Sequence, residues 1–586
     1  MKRCGYALTL ALVIAGSRSL SAYDFGAHPR LMQTERTEDE KAQVVAAANR
    51  HLESPAEIPE EYGQWYFYYA CAEHNRALEC RDGSHVCPTC SKAYDTEQVR
   101  RAYATIRHDA NNETALTLAQ AYALTGDARY AAEAWRILQR YARLCPTWPR
   151  HDRWGRFGML AIIGGKRYAQ SLDDACGIIP LARAYDLLHD WDGITPEARR
   201  VVEKDLFRDT VESIYAMYRA YDGKNNHQTW YNAAAAIVAT VLGDAATLDK
   251  ALHGAKGLST QMKESVTAEG LWYEGAIAYH FYALNALLHT LDAAHGAGIA
   301  LTDEKAVILK MLTTPLRIAY PNGQLPAIHD SDFGFLTGYR SLYQTALRHF
   351  DHPLLAAFAA TGEIPRTESE VMDDIGLVFL RQWGDSPVTV IMDFGQHGGH
   401  HGHPDKLNLL VYADGAELFP DTGRLTYRCP EYETWARQTI AHNTVVINGK
   451  SQKPDHGRIT HYAYSNNAHT VTAESTGAYP GVTLRRTLTL HDDGTLHDRF
   501  DVESPAPLDT IELPLHSMLP VTLSAPENGD TRATFGDNGL AATFHGETDI
   551  ILTNGIGYTL EERLPMLIRH RANAASATFS STYTLR

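Results

Sequence analysis

Between about residues 23 and 370, apolar side chains recur every three or four positions, the spacing of amphipathic helices. The stretch ETALTLAQAYALTGDARYAAEAWRILQRYARL predicts two helices broken at Thr125-Gly126-Asp127. Units of the same kind follow, among them SLDDACGIIPLARAYDLLHDW, PEARRVVEKDLFRDTVESIYAMYRAY, QTWYNAAAAIVATVLGD and YHFYALNALLHTLDAAHGAG. Turns marked by glycine or proline separate them, so the helices should stack as antiparallel pairs in a solenoid or toroid. No repeat of fixed period distinguishes a toroid from a bundle. After about residue 371 the texture changes to short β-rich segments such as VTVIMDF, LNLLVYA, NTVVING and VTLRRTLTL, with Asp492-Asp493-Gly494 as a hairpin turn. That half reads as all-β, a large antiparallel sandwich. The chain is thus an α+β multidomain protein, with a cleft expected at the seam between 23–370 and 371–586.

A length of 586 residues exceeds what one core supports and agrees with two or three domains. The net charge of −16 argues against nucleic acid as a partner. For a polyanionic substrate, positive charge would have to gather locally in the cleft. Residues 1–22 read as a secretory signal: Lys2 and Arg3 precede YALTLALVIAG, and small residues end at Ala22, so cleavage there and a periplasmic or secreted location are expected. No later apolar run is long enough for a membrane span, and no membrane partner is expected. A cysteine-rich insert, 71–90, carries Cys71, Cys80, Cys87 and Cys90, the last two as Cys-Pro-Thr-Cys. A small metal knuckle and a pair of disulfides both fit it, and either would be structural.

Four histidines, His397, His400, His401 and His403, follow VTVIMDF, and in an extended segment His401 and His403 would share one face. Asp421 lies in a Pro-Asp-Thr-Gly turn and His442 precedes Asn443-Thr444. Two His and an Asp from separate strands can fill three corners of a tetrahedral zinc site. A solvated, histidine-rich loop is the plain alternative. In the helical half, GKNNHQTWYNAAAA places Asn225 or Asn226 as an N-cap. Capping does not ask for His227, Trp230 or Tyr231 beside it, and a helix N-terminus suits a carboxylate. In EGLWYEGAIAYHFYAL, the tyrosines Tyr273, Tyr279 and Tyr282 read as core aromatics of a helix, and Glu274 either orients partners or lies on the surface. Gln170, with Lys166 and Arg167, lines a subsite or belongs to a solvated helix start, and Arg437 binds substrate charge or braces the sheet.

Taken in order, HGHPDKLNLLVYADG, DTG and RQTIAHNTVVING resemble the C-terminal part of the heparinase II/III-like polysaccharide lyases, which include alginate and oligoalginate lyases. The resemblance implies an incomplete α/α toroid followed by a β-sandwich. It also implies one structural zinc held by His403, Asp421 and His442, with His401 in the active site. Asn226-His227 matches the family's Asn-His motif, and Tyr279, five residues after Glu274, fits its catalytic tyrosine, with Tyr282 as the fallback. Tyr427 is a second phenol, its register contested by Tyr432. Glu274, Tyr427, Arg437 and Gln170 are the expected substrate contacts, Arg437 and Gln170 on their residue chemistry alone.

The implied reaction removes the C5 proton of a uronate and expels the O4-linked sugar. Asn226 would neutralise the carboxylate as charge develops. His227 or His401 would be base, and Tyr279 acid with the base role also open to it, its pKa brought down from about 10 by neighbouring cations. Alginate or its oligomers are the first substrate expected, heparan sulfate or another glycosaminoglycan the next. Two other classes are a glycoside hydrolase using paired carboxylates, Asp330 with Asp332 or Asp173 with Asp174, and a non-catalytic carbohydrate-binding protein. The latter has no need to bring Asn226, His227, Tyr279 and His401 together.

Overall fold

A computed structural model describes residues 23–586 apart from 34, 75, 217–222 and 548. The expected export signal, residues 1–22, and the end of the helical unit at 196–221 lie outside the described residues. Among those described, no helix is long and apolar enough to cross a membrane.

The helix break expected at Thr125-Gly126-Asp127 has a local cause. The helix Glu97–Thr125 ends where Gly126 takes φ 72°, a left-handed conformation that glycine adopts without a Cβ clash. The Asp127 side chain then accepts from the backbone N–H of Arg129 at 2.9 Å and starts the helix Ala128–Leu144. Helices Glu97–Thr125, Ser171–Leu188, Asn226–Leu242 and Ile277–Gly296 pack successively side by side. Asn226–Leu242 is buried at almost every position, because neighbours press on it from all sides and its alanines at 233–236 let them come close. In the insert, a short hairpin of Glu79–Arg81 with Ser84–Val86 interrupts the helical half.

The last helix of that half is Pro353–Thr361, and the first strand of the β half is Glu370–Met372. Two antiparallel sheets follow. The smaller runs in chain order through Glu370–Met372, Leu377–Gln382, Val388–Asp393, Asn408–Ala413 and Ala416–Phe419. The larger has ten strands and is centred on Thr495–His516 and Arg563–Thr584, which pair antiparallel from end to end. Thr483–His491 alternates between buried and half-exposed residues, as a strand with one solvated face should. Val388–Asp393 and Asn408–Ala413 instead are buried throughout. Val390, Leu409 and Val411 share a core with Leu484, Leu488 and Phe500 of the larger sheet. Phe379, Ile391, Leu410 and Tyr412 project the other way into the core of the helical half. The small sheet is therefore a middle layer belonging to both halves, and this layer fixes the seam.

Candidate active site and metal-binding residues

Which asparagine caps the Asn226–Leu242 helix decides what the other can do. Asn225 is the cap, its side chain accepting from the N–H of Gln228 at 3.1 Å. Asn226 is thereby freed, and its amide nitrogen donates to Glu274 Oε2 at 3.3 Å. Glu274 also accepts from the Trp272 indole at 2.8 Å and is 2% exposed. An amide nitrogen carries two hydrogens, so Asn226 keeps one for a ligand. Glu274 orients Asn226, one of the alternatives the sequence left open, and its other oxygen lies 3.9 Å from His401 Nε2.

Gly275, with φ 74°, turns the chain from Glu274 into the helix Ile277–Gly296, and a Cβ there would lie 2.9 Å from the His329 ring. Tyr279, in the first turn of that helix, stacks its ring on His401 with centroids 3.5 Å apart and planes at 19°. Its hydroxyl is 2.7 Å from the hydroxyl of Tyr427. The fallback tyrosine, Tyr282, points elsewhere, its hydroxyl 3.3 Å from Cys176 Sγ.

The histidine-rich loop is not the extended segment expected. A tight turn over Gly399–His401 precedes Gly402, and a Cβ on Gly398 would come within 2.2 Å of the Glu274 carbonyl oxygen, so the loop lies backbone against backbone on the helical half. His401 and His403 nevertheless converge on one carboxylate. His401 Nδ1 is 2.8 Å from Asp330 Oδ2, and His403 Nε2 is 3.0 Å from Asp330 Oδ1. Tyr427 and Tyr432 donate their hydroxyls to Asp330 Oδ2 at 3.1 and 2.9 Å. The register contest between these two tyrosines thus resolves into a shared acceptor, with Tyr427 the one that also reaches Tyr279. Arg437 stands 5.7 Å over the Tyr432 ring and 3.5 Å from Glu433, a brace for that tyrosine.

Burial pushes the phenols of Tyr279 and Tyr427 well above the ordinary tyrosine range. The Arg424 guanidinium and, for Tyr279, the hydrogen bond with Tyr427 oppose this without reversing it. The sequence reading expected cations to lower the Tyr279 pKa, and the structure corrects it: Tyr279 is a neutral phenol, suited to give a proton. His227 is lowered to about 3 by burial and by the positive charges of His401, His400 and Arg153, so it stays neutral and able to accept. Arg153, Arg424 and Arg437 supply the local positive charge that a chain of net charge −16 otherwise lacks.

Beyond Asp330 lies a second buried cluster. His442 Nδ1 is 3.0 Å from Asp421 Oδ2, which also accepts from Asn408 Nδ2 at 2.8 Å. Ligand atoms of Asp405, Asp421 and His442 lie within 4.8 Å of one another. His403 faces them, its ring centroid 5.3 Å from that of His442. With Nε2 of His403 turned to Asp330, its Nδ1 is buried without a hydrogen bond, as is Nε2 of His442. Burial would lower the His442 pKa, yet Asp421 raises it to about 9, so the pocket favours a positive charge. Two imidazole nitrogens without partners beside buried carboxylates fit a zinc ion, and Asp330 holding His403 is the carboxylate–histidine arrangement that orients such ligands. His403, Asp421 and His442 could hold the metal, and Asp405 stands as a further donor that the sequence reading did not include.

Gln170 is the N-cap residue of the Ser171–Leu188 helix, its side chain making no capping bond. Arg167 is 3% exposed against Tyr141 and Tyr168, and Lys166 pairs with Asp209 at 2.7 Å, so that helix start is not solvated. Of the carboxylates weighed for a hydrolase, three are held by other groups: Asp330 accepts from four side chains, Asp332 pairs with Arg424 at 2.7 Å, and Asp174 accepts from three successive backbone N–H groups, Lys166 to Tyr168. Asp173 is the exception, its carboxyl pKa pushed up to about 8 by burial. Asp330 is the residue whose contacts sequence reasoning missed. Its flanking His329, at φ 54°, gives no periodic signal, and the contacts of Asp330 are all more than 70 residues away.

Two families match the sequence. The one described as Alginate lyase covers residues 33–317, and the one described as Heparinase II/III-like, C-terminal, covers residues 364–573. An alginate lyase of Stenotrophomonas maltophilia is 26% identical over 449 residues, 66% of this chain and 58% of that protein. An exo-oligoalginate lyase of Saccharophagus degradans is 24% identical over 484 residues, 72% of this chain and 64% of that protein. The chain thus spans less than two thirds of the length of these curated relatives. Among solved structures, heparinase III superposes with a TM-score of 0.68 at 15% identity, covering 96% of this chain and 88% of that one. A heparan sulfate lyase HepC mutant from Pedobacter heparinus gives 0.65 at 16%, covering 94% and 83%. At such identities the likeness shows a shared fold.

Proposed function

Starting from a chain that belongs to the family joining an alginate lyase domain to a heparinase II/III-like C-terminal domain, we propose a polysaccharide lyase that cleaves uronate-containing chains by β-elimination. The observation that carries this reading is that Glu274 meets Asn226 at 3.3 Å with one oxygen and lies 3.9 Å from His401 Nε2 with the other, while Tyr279 stacks on that same His401 and bonds to Tyr427. A C5 proton becomes removable only when the neighbouring carboxylate is neutralised, and the spare Asn226 hydrogen at a helix N-terminus suits that task. His227, neutral and on the same turn as Asn226, is the base in this reading. Tyr279 gives its proton to O4 of the departing sugar, and Tyr427, hydrogen-bonded to it and to Asp330, steadies the phenol.

Alginate or its oligomers are the substrate we favour, since two of the matched relatives bear those names and the site gathers a few dispersed arginines with no dense basic run for sulfates. A zinc ion on His403, Asp421 and His442 would be structural in this scheme, locking the loops that carry His401 and Tyr427. The packed row of helices is read as part of an incomplete α/α toroid, and residues 1–22 as an export signal. The test is a panel of uronate polysaccharides followed by the ultraviolet absorbance of the new C=C conjugated to the carboxylate. Alginate should give the signal, and Tyr279→Phe should lower the rate by about 10²- to 10⁴-fold with an unchanged circular dichroism spectrum. Reducing ends appearing without that absorbance would establish a hydrolase instead.

A further inference from the structure

The insert between residues 69 and 94 lies outside the catalytic constellation and has a small core of its own, Tyr69, Cys71, Leu78, Cys87, Val99 and Ala102. Four potential ligands converge at its edge. Cys71, His74, Cys87 and Cys90 each offer an atom, and all four atoms lie within 4.8 Å of one another. Their spacing is Cys-x2-His, a hairpin, then Cys-x2-Cys. We propose that these four residues bind one structural zinc ion, a site separate from the cluster around His442.

The backbone is arranged for it. Each ligand pair sits in a tight turn closed by its own hydrogen bonds: Cys71 N–H donates to the Arg76 carbonyl at 2.8 Å, and Cys87 N–H to that of Lys92 at 3.0 Å. In the second turn, Ser91 N–H donates to the Cys87 carbonyl at 2.9 Å and Thr89 N–H to Cys87 Sγ at 3.4 Å. Ser91 adopts φ 59°, a left-handed residue directly after the second cysteine that brings both sulfurs to one side of the turn. The hairpin of Glu79–Arg81 with Ser84–Val86 then sets the two turns next to each other.

The distances agree with a metal. Tetrahedral zinc with Zn–S of about 2.3 Å and Zn–N of about 2.0 Å sets sulfur and nitrogen ligands roughly 3.5 Å apart. His74 Nδ1 is 3.5 Å from Cys71 Sγ and 4.0 Å from Cys87 Sγ. The second sphere suits a Cys71 thiolate. The Tyr94 hydroxyl oxygen accepts from the N–H of Ala72 at 3.0 Å and lies 3.1 Å from Cys71 Sγ, where a metal-bound thiolate would accept its hydrogen. Cys80, which the sequence reading grouped with the other cysteines, is exposed on the hairpin and outside this quartet, and His74 takes its place. No disulfide joins any of the seven described cysteines.

The site would stabilise one wall of the cleft. Arg428, next to Tyr427, donates to the Cys71 carbonyl at 3.3 Å, and Phe67 packs edge-on against the Tyr427 ring, with centroids 5.8 Å apart. The knuckle thus ties the aromatic segment before it to the loop that carries Tyr427.

Metal content of the purified full-length chain tests the proposal. Cys90→Ser should hold one zinc fewer per chain than the wild type, whereas Cys80→Ser and His74→Cys should hold as much as the wild type. Alkylation of the native protein should label Cys80 quickly, and Cys71, Cys87 and Cys90 only after a chelator is added. Should Cys90→Ser fail to fold, cobalt substitution of the wild type answers instead. Three thiolates give a sulfur-to-cobalt charge-transfer band, which the nitrogen and oxygen donors around His442 cannot produce. A disulfide between any two of Cys71, Cys87 and Cys90 in the intact mass, an unchanged zinc count in Cys90→Ser, or a cobalt form without that band would overturn the site.

Discussion

Asp330 shows how much one residue can organise. A carboxylate accepts through two oxygens, and here His401, Tyr427 and Tyr432 gather on Oδ2 while His403 takes Oδ1. Burial alone would raise its pKa, but the hydrogen bonds from His401 and His403 and their charges hold it well below the usual carboxylate range. It therefore stays an acceptor and cannot serve as a general acid. Asp330→Asn replaces one acceptor end by a donor that must face either His403 or the His401–tyrosine group. We expect turnover to fall by 100-fold or more, and zinc affinity by about 10- to 100-fold through loss of His403 orientation. Steady-state kinetics and metal titration check the two losses separately. His403→Ala should lower metal content and melting temperature together, and a variant with full metal content would remove His403 from the ligand set.

At the scale of elements, the site depends on where helices begin. Tyr279 and Asn226 both lie in first turns, and each start is fixed by a neighbour: Gly275 and the bond from Ile277 N–H to Ser331 Oγ at 2.8 Å for one, the Asn225 cap for the other. Asn225→Ala should cost about 1 kcal/mol of stability by removing that cap. The activity loss should exceed what the lowered stability explains, because a frayed first turn no longer holds Asn226 against Glu274. Denaturant melts beside rate measurements well below the melting temperature separate the two effects. Helix and strand limits were largely legible in the chain, since the capping residues and the switch from a 3.6- to a 2-residue period are local. The fully buried strands Val388–Asp393 and Asn408–Ala413 could be read as strands, but not as a layer covered on both faces, because what covers them is distant in sequence.

For the whole molecule, that shared middle sheet couples the two halves, and segment His329–Asp332 of the helical half is clasped by β-half loops: Asp330 N–H donates to the His401 carbonyl at 3.1 Å and Arg424 N–H to that of Ser331 at 3.0 Å. The chain should also be acid-sensitive. Burial lowers His108 and His289 to about 3 and His280 and His516 to about 4, with nearby arginines adding to the effect at the first two. The unfolded chain binds these protons near pH 6.5 and the folded chain does not, so stability falls as pH drops from about 6.5 toward 4. Each such histidine contributes about 1.4 kcal/mol per pH unit inside its window. Melting temperatures measured from pH 7.5 down to 4.5 should decline steeply, and a flat profile would mean that these imidazoles are protonated in the folded state.

Local chemistry in the sequence was enough to set the helical and β halves and the histidine-rich loop, since each rests on spacing within a few turns of chain, whereas Asn226-His227 and Tyr279 stood out through the family resemblance. It could not tell that Asn225 and not Asn226 is the cap, that Glu274 lies between the Asn226 amide and His401, or that burial drives the tyrosine pKa values upward. Nor could it show that Asp330 bonds both His401 and His403, or that His74 and not Cys80 lies beside Cys71, Cys87 and Cys90. Those outcomes depend on which groups lose their water and which distant partners replace it, and only the packed chain brings those partners together.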